Sequence, residues 1–241
     1  ANMDVIITNS ETVQKRLQDF TGYESEIIYP PTDTSRFVPS SRHREEWSDP
    51  VFWSQSMDCF VPHNDGTKQS KDYFLSWARL SPPKRVDLIV DAFLEMPWEN
   101  LIFTYGKNDP MKDAIFAKIR EYKNITAIES PDDDTLISLI QWARASIYIP
   151  VEEDFGMSPV ESMACGVPVI WADEGGLRET IIDSQTGLLI EVNKENLKTA
   201  IRKMTPVYAE SLRIKCVERA GDFSLEKFDS KIRRKCIYSI K

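Results

Sequence analysis

Short apolar runs alternate with amphipathic stretches over residues 73–204. Each run is rich in β-branched or aromatic residues and is followed by a pattern of helical period, as in a strand that leads into a helix. The runs read YFLSWA, LIFTYG, ITAIES, ASIYIP, VPVIWA and GLLI. This alternation predicts an α/β fold built on a doubly wound parallel sheet, whose strands are buried on both faces.

Helical spacing is clearest over residues 132–144, where Leu136, Ile140 and Ala143 recur behind an Asp-rich start. Ser224 suits the N-cap of the last helical pattern in the chain. We expect the last two predicted helices to cover the edge of the sheet. The remaining helical patterns cover about 84–95, 109–122, 207–220 and 224–237.

The segments that flank residues 73–204 do not continue the alternation of strands and helices. Residues 1–38 carry one strand-helix unit, VIITNSETVQKRLQDF, and a short strand, EIIYPP, which are too few elements for a domain. We expect them to be the end of an N-terminal domain and its connection to residues 73–204, with residues 205–241 as C-terminal helices. Because Ala1 is not an initiator methionine and a strand-like DVIIT follows almost at once, the chain looks like a part of a larger protein.

Residues 39–72 are irregular and polar, which predicts a long loop. The aromatic side chains of Trp47, Phe52 and Trp53 leave two arrangements open. They could pack the loop onto the sheet, or the loop could be a mobile flap.

Composition narrows the functional classes. Hydrophobic residues make up 41% and charged residues 28% of the chain, a globular mixture without the roughly 20-residue apolar run of a membrane helix. The net charge of -8 argues against a nucleic-acid partner, because such binding neutralises phosphates with clustered Lys and Arg. The four cysteines form no C-x-x-C pair and only His43 and His63 could join them, so we expect reduced cytoplasmic thiols rather than a zinc site.

Two common nucleotide-binding motifs are missing from the sequence. The nine glycines never form G-x-G-x-x-G or G-x-x-x-x-G-K-[ST], which argues against both a dinucleotide fingerprint and a P-loop. A Ser-His-Asp triad would need one of the two histidines of the irregular region and would arise only by coincidence.

The stretch VEEDFGMSPVESMACGVPVI, residues 151–170, concentrates the candidate chemistry. Ser158 and Glu161 read as S-x-x-E with Pro159 after the serine, a capping box that predicts a helix from about residue 159. That reading gives Glu161 a purely structural role. The stretch also follows the strand ASIYIP, so residues 151–158 lie at the carboxyl end of a strand, where open parallel sheets bind ligands.

Three features of this loop favour an anion with hydroxyl groups beside it. Gly156 allows the backbone to approach a ligand closely. Free N–H groups near Ser158 and Val160, at the positive end of a helix dipole, attract phosphate. Glu161, beside that phosphate, is expected to face neutral hydroxyl groups.

A second loop, in WARLSPPKRVDLIVDAF, places Arg79 at the end of a strand and Lys84 at the start of the next helix. The first and fourth strands of a doubly wound sheet are usually neighbours, which would put both cations opposite residues 153–161, where they can converge on one anion. Each cation alone could be a solvated surface charge. Arg85 either assists the phosphate or lies on the helix surface, and we favour the surface. Together the two loops suit a diphosphate flanked by sugars.

These motifs resemble the donor-sugar half of retaining GT-B glycosyltransferases of glycosyltransferase family 4. The hallmark of that family is two glutamates separated by seven residues, with R-L-x-x-x-K upstream, and the chain has both, from Glu153 to Glu161 and from Arg79 to Lys84. It also shows NSETV, IIYPPTDTSRF, EGGLRET and TGLLI at the expected intervals. The resemblance covers nearly the whole chain except residues 39–72, and it implies a Rossmann-like donor-binding domain over residues 73–204.

The resemblance also implies a role for each matching position. Arg79 and Lys84 would hold the nucleotide diphosphate. Glu153 would accept hydrogen bonds from hydroxyls of the donor hexose, and Glu161 would bind the ribose. Main-chain groups of the loop would line the sugar and phosphate, and two strand ends would lie beside the base. The loop residues are Asp154, Phe155, Gly156, Met157 and Ser158, and the strand ends are Gly106, Lys107 and Ile128 to Ser130.

The implied reaction is hexosyl transfer from a nucleotide diphosphate sugar, with retained configuration and without a metal. PPKRVDLIVDAF, with Arg85 where many members have glycine, is similar to mannosyltransferases of surface-polysaccharide pathways, which favours GDP-mannose. The acceptor, a carbohydrate, a lipid-linked sugar or a protein, would bind to an N-terminal domain of which residues 1 to about 20 are the end. We expect a cytoplasmic protein, free or peripheral to a membrane.

Two other functions stay open at this point. Since the acceptor half is absent from the chain, it could be a non-catalytic module that binds a nucleotide sugar. A glycoside hydrolase that uses Glu153 and Glu161 would need their carboxyl groups about 5.5 Å apart for retention, and it is the weaker alternative.

Overall fold

The structure is a computed structural model, and it describes residues 5–37 and 72–238. The predictions for the long loop, including Trp47, Phe52 and Trp53, lie outside the described residues, as do His43 and His63.

Six parallel strands form the main sheet, which confirms the predicted doubly wound α/β fold. Their order is β5-β4-β3-β6-β7-β8, so the first and fourth strands of the sheet are neighbours at its switch point. A separate parallel pair, β1-β2, belongs to the N-terminal segment. The strands are β1 (Ile7–Thr8), β2 (Glu26–Ile27), β3 (Tyr73–Ser76), β4 (Asn100–Tyr105), β5 (Ile125–Glu129), β6 (Ala145–Tyr148), β7 (Val169–Ala172) and β8 (Gly187–Ile190).

Helices connect successive strands at nearly the predicted places. The Asp132 carboxylate caps α5 by accepting a hydrogen bond from the backbone N–H of Thr135, as the Asp-rich start indicates. The helices are α1 (Glu11–Thr21), α2 (Thr34–Phe37), α3 (Val86–Leu94), α4 (Lys112–Ile119), α5 (Asp133–Trp142), α6 (Met157–Ala164), α7 (Leu177–Thr180), α8 (Lys194–Lys203), α9 (Pro206–Ala220) and α10 (Leu225–Tyr238).

The core lies on both faces of the sheet. Every residue of β3, β6 and β7 is buried, because helices cover these central strands on both sides. Large side chains fill the space between the sheet and the helices, which is why the strands read as continuous apolar runs rather than as alternating ones. The largest fully buried side chains include Trp171, Phe74, Phe93 and Phe103.

The two C-terminal helices differ from the expectation that they cover the edge of the sheet. Helix α9 packs mainly against α6, although Cys216 reaches the carbonyl of Thr186 next to the edge strand. Helix α10 instead returns to the N-terminal segment, where Lys235 pairs with Glu26 and the ammonium of Lys231 lies 5.6 Å from the centre of the Tyr29 ring. The second helix therefore ties the end of the described chain to its beginning.

Ser224 precedes α10 as predicted, and its hydroxyl oxygen lies 3.4 Å from the backbone nitrogen of Lys227, a long capping contact. Two of the cysteines, Cys165 and Cys216, are free and buried. Burial raises the pKa of both thiols, which keeps them protonated and unreactive. No helix within residues 5–37 and 72–238 combines the length and apolar character that a bilayer crossing needs.

A buried amide joins the end of α3 to the start of β5. The side-chain nitrogen of Asn124 donates to the carbonyls of Phe93 at 3.0 Å, Met96 at 3.4 Å and Glu99 at 3.0 Å. The carbonyls of Phe93 and Met96 also accept backbone hydrogen bonds, from the N–H groups of Met96 and Glu99, so the amide adds a second donor to each of these two carbonyls and binds that of Glu99 as well.

We expect Asn124→Ala to lower the free energy of unfolding by about 1–3 kcal/mol, since it removes the buried amide that hydrogen-bonds to these carbonyls. Urea unfolding followed by circular dichroism measures this. Asn196→Ala, which removes an exposed amide bonded to the carbonyl of Glu191, is the matched control and should cost less than about 0.5 kcal/mol. Equal effects of the two substitutions would contradict the interpretation.

Candidate functional site

The loops that follow β3 and β6 meet at the switch point of the sheet. Strands β3 and β6 pair in parallel, so their carboxyl ends lie side by side. The backbone N–H of Val151, just beyond β6, donates to the carbonyl of Pro83 at 2.8 Å. This bond fixes the distance between the two loops in which the sequence places its candidate residues.

Lys84 lies at the end of a single 3-10 turn, Pro82–Lys84, and not inside the next helix. Arg85 follows with φ of 52°, a left-handed conformation that separates this turn from α3, which begins two residues later than the predicted 84. The guanidinium of Arg85 pairs with Glu174 at 2.9 Å. The expectation of a solvated helix surface for Arg85 is therefore wrong, since this side chain joins two loops.

Three side chains form a closed triangle between the loops. Nζ of Lys84 lies 2.6 Å from Oε2 of Glu153 and 3.1 Å from the hydroxyl of Tyr148, and that hydroxyl lies 2.9 Å from the same Oε2. Lys84 and Glu153 were candidates from the sequence, whereas Tyr148 was missed. It is the last residue of β6 and reads in the sequence as part of an apolar strand.

The Tyr148 hydroxyl acts as a hydrogen-bond donor to Glu153. Burial first, and then the negative charge of Glu153, raise the pKa of Tyr148 above its ordinary value. The phenol therefore stays protonated, and it can donate to the carboxylate while accepting from the Lys84 ammonium.

Arg79 lies in the same loop as Lys84 but contacts a different carboxylate. Its Nε is 3.4 Å from Oδ1 of Asp109, while Oδ2 of Asp109 accepts hydrogen bonds from the backbone N–H groups of Leu80 and Gly106, each at 2.9 Å. The Asp109 side chain is only 7% exposed and that of Arg79 is 68% exposed. The structure thus does not bring Arg79 and Lys84 onto a shared partner, but it leaves the Arg79 guanidinium accessible to a ligand.

Helix α6 begins at Met157, and the predicted capping box is wrong. Gly156, with φ of 85°, occupies the N-cap and offers no side chain to the first turn, so Ser158 and Pro159 lie inside the helix. A glycine that can adopt a left-handed conformation starts the helix two residues early. The first N–H groups of α6 therefore lack a side-chain cap, which is the condition for anion binding at a helix N-terminus.

The EGGLRET segment packs against the Glu153 loop through its two glycines. The N–H of Gly176 donates to the carbonyl of Glu153 at 2.8 Å. A Cβ atom added to Gly176 would overlap the carbonyl oxygen of Asp154, and one added to Gly175 would overlap that of Glu153. The two glycines are needed because the two backbones approach closely here.

Two further loop residues contact the N-terminal segment. The Arg16 guanidinium pairs with the carboxylate of Asp154 at 2.6 Å. The Phe155 ring is buried and stacks on Tyr29 with centroids 5.5 Å apart, so only its main chain is available for a ligand. Met157, at the start of α6, is exposed.

A carboxylate beside the loop caps helix α1. Oε2 of Glu179 accepts from the N–H of Glu11 at 2.7 Å, and Oε1 accepts from the N–H of Thr12 at 3.1 Å. Glu179 thus satisfies the free donors at the start of α1.

Glu161 lies one turn into α6 and is half-buried. Burial raises the pKa of Glu161, and the Trp77 indole and the Arg36 guanidinium partly offset the rise. Within the described residues the buried Nε1 of Trp77 has no partner at full hydrogen-bond geometry, so its contact with Glu161 is weaker than an ordinary hydrogen bond.

The two strand ends that the resemblance places beside the nucleotide base belong to β4 and β5, which are neighbours in the sheet. Gly106 is held by Asp109, and Lys107 is exposed. Ser130 adopts φ of 41°, and its N–H donates to the carbonyl of Tyr105 at 2.9 Å. In the part of the chain that the structure describes, no three His, Cys, Asp or Glu side chains gather in a way that could hold a metal ion.

The strand order and the charged loops at the switch point define a Rossmann-like α/β domain of the GT-B type. Residues 62–220, well over half of the chain, match the family described as "Glycosyl transferases group 1". The chain belongs to this family of glycosyltransferases, as the motifs indicate.

Several glycosyltransferases are similar to this chain in sequence. An alpha-1,3/1,6-mannosyltransferase of Neurospora crassa is 42% identical in an alignment 188 residues long, which covers 70% of this chain and 40% of that protein. An alpha-1,3/1,6-mannosyltransferase of Dictyostelium discoideum is 26% identical over 229 residues, 84% of this chain and 52% of that protein. An uncharacterized glycosyltransferase of Methanocaldococcus jannaschii is 31% identical over 167 residues, 66% of this chain and 44% of that protein. The chain spans about half the length of the curated relatives that it matches.

Solved structures share the fold at lower identity. A sucrose-phosphate synthase of Thermosynechococcus elongatus has a TM-score of 0.81 at 22% identity. The matched region covers 100% of this chain and 60% of the chain of the synthase. The HepE protein of Anabaena, solved in complex with UDP, has a TM-score of 0.72 at 18% identity. The matched region covers 98% of this chain and 64% of the HepE chain.

We expect Gly176→Ala to lower the free energy of unfolding by about 1–3 kcal/mol, because the added methyl group forces apart two packed backbones. Chemical denaturation measures the change. In Gly221→Ala, a Cβ meets nothing within 4 Å, so this control should be neutral or slightly stabilising. A neutral Gly176→Ala variant would show that the Glu153 loop is not held by this packing.

Proposed function

We propose that the chain is the donor-binding half of a retaining glycosyltransferase, which transfers mannose from a nucleotide diphosphate sugar to an acceptor. The observation that carries the proposal is the meeting of Lys84 and Glu153 at the switch point, 2.6 Å apart and beside the uncapped start of α6. Cation, carboxylate and free amides in one place suit a pyrophosphate linked to a sugar.

The diphosphate is held by Arg79, Lys84 and the first N–H groups of α6. Arg79 is exposed and Lys84 is partly exposed, so both can turn towards an anion. Each cation is paired with a carboxylate, Arg79 with Asp109 and Lys84 with Glu153. The diphosphate takes over part of that pairing when it binds.

The sugar and the nucleoside lie on either side of the diphosphate. Glu153 accepts hydrogen bonds from hexose hydroxyls, and the main chain of Asp154, Phe155, Gly156, Met157 and Ser158 lines the sugar and phosphate. Glu161 binds the ribose, and its half-buried carboxyl suits neutral hydroxyls rather than a cation. The base lies beside Gly106, Lys107 and Ser130.

In the proposed reaction the acceptor hydroxyl attacks the anomeric carbon on the face that the diphosphate leaves, so the configuration is retained. The bond from the anomeric carbon to the diphosphate breaks, and the proton of the hydroxyl passes to the departing phosphate. Negative charge accumulates on the departing phosphate. Arg79, Lys84 and the amides of α6 stabilise this charge, and loss of one such contact typically costs a factor of about 10²–10³ in rate. No protein-bound metal takes part in this scheme.

The choice of mannose is supported by the relatives named alpha-1,3/1,6-mannosyltransferase, one of them 42% identical to this chain over 188 residues. The acceptor is a carbohydrate, a lipid-linked sugar or a protein. Groups that hold it are contributed by a further N-terminal domain, to which residues 5–37 belong. The enzyme acts in the cytoplasm, and it acts at a membrane surface if the acceptor is lipid-linked.

Isothermal titration calorimetry of the chain with GDP-mannose, UDP-glucose, GDP and UDP tests the proposal. We expect Arg79→Ala and Lys84→Ala each to weaken nucleotide binding by about ten- to a hundredfold, because each removes a charged contact to the diphosphate. Glu153→Ala should mainly weaken the preference for the nucleotide sugar over the nucleotide.

Lys118→Ala is the matched control, because Lys118 pairs with Asp91 on the surface at 2.6 Å and should leave binding unchanged. If wild type binds none of the four compounds, the proposed function is wrong. If it binds them but all three site variants bind equally well, the assigned roles are wrong.

A further inference from the structure

Tyr148 is the one member of the triangle that no sequence motif indicates. Tyr148 is 8% exposed, and its hydroxyl lies within hydrogen-bond distance of both Lys84 and Glu153. The ring also lies beneath the lysine, with Nζ of Lys84 5.3 Å from the ring centre. The phenol therefore contacts both charged groups that the proposed function assigns to the donor.

The two oxygens of the Glu153 carboxylate are used unequally. Oε2 receives both the Lys84 ammonium at 2.6 Å and the Tyr148 hydroxyl at 2.9 Å. Among the hydrogen bonds and ion pairs of residues 5–37 and 72–238, none involves Oε1. The Glu153 side chain is 24% exposed, so one anchored oxygen and one available oxygen lie at the site.

Lys84 is shared between Glu153 and the proposed diphosphate. Two of its three N–H donors reach Glu153 and Tyr148, and a diphosphate that attracts the same ammonium weakens its hold on the carboxylate. Tyr148 faces no such competition, because its side chain is buried at the end of β6 and its hydroxyl has these two partners.

We propose that Tyr148 is a positioning residue for the donor hexose: its hydroxyl holds Oε2 of Glu153, so that Oε1 remains placed for sugar hydroxyls when Lys84 turns to the diphosphate. This inference rests on the proposed function. It predicts that the phenol hydroxyl matters for the sugar and not for the nucleotide alone.

The test is a comparison of the affinities for GDP-mannose and for GDP in wild type and Tyr148→Phe, measured by calorimetry. We expect Tyr148→Phe to lower the preference for the nucleotide sugar by about tenfold, the usual effect of losing a hydrogen bond to a charged group, with little change in GDP affinity. If UDP-glucose is the tighter ligand of wild type, the UDP-glucose and UDP pair is used instead.

A double-mutant cycle separates positioning from a general structural effect. In a Glu153→Ala background, Tyr148→Phe should have no further effect on the preference, since there is no carboxylate left to hold. Tyr73→Phe is the matched control: Tyr73 lies on the neighbouring strand β3, and its buried hydroxyl donates to the carbonyl of Leu139 at 2.7 Å. Tyr73→Phe should change stability but not the preference.

Each outcome decides between the two proposals. If wild type binds no nucleotide, the proposed function fails and this inference fails with it. If wild type prefers the nucleotide sugar and Tyr148→Phe keeps the full preference, only the role of Tyr148 is overturned. The role of Tyr148 is also overturned if Tyr148→Phe lowers the preference by the same factor in the wild-type and the Glu153→Ala backgrounds. It is likewise overturned if wild type binds GDP and GDP-mannose with equal affinity. Tyr148→Leu replaces Tyr148→Phe as the hydroxyl-free variant if the phenylalanine variant does not fold.

Discussion

The pairing of β3 with β6 is the constraint on which the site depends. A sheet that reverses its strand order places the ends of two strands, distant in sequence, side by side. Only this adjacency brings Lys84 within 2.6 Å of Glu153, although they are 69 positions apart in the sequence. The bond from Val151 to Pro83 then sets the spacing of the loops, so the ion pair is a product of sheet topology rather than of local sequence.

Glycine determines how closely the surrounding backbones can approach. Gly156 starts α6 without supplying a side-chain cap, and Gly175 and Gly176 let a second loop lie directly on the Glu153 loop. As a result, the main chain of Glu153 is held by Gly176, and its carboxylate is held by Lys84 and Tyr148. These contacts fix the position of the Glu153 loop, so the proposed donor binding requires movement of cationic side chains rather than of the loop.

The sequence was sufficient to predict the features that depend on the spacing of apolar residues and on the order of the elements along the chain. Continuous apolar runs predicted the six strands, and the usual strand order of such sheets predicted the neighbours at the switch point. It failed where a residue has two roles. Tyr148 was hidden in an apolar strand, because only its hydroxyl differs from a core side chain. Ser158 and Glu161 satisfied the pattern of a capping box, but the conformational freedom of Gly156 started the helix earlier.

The pairing of Arg79 with Asp109 also could not be read from the sequence, since the carboxylate follows a different strand and is held by two backbone amides. The direction of α10 was missed for a similar reason. Its helical period indicates an amphipathic helix but not which surface it will cover, and here it returns to Tyr29.

The contact between Arg16 and Asp154 has a mechanical consequence. Asp154 is joined by one peptide bond to Glu153, and Arg16 lies on a helix whose first turn is held by Glu179. A shift of α1 would pull on Asp154 through this ion pair and, through the peptide bond, on Glu153. The position of the segment that carries Arg16 is thereby coupled to the position of Glu153.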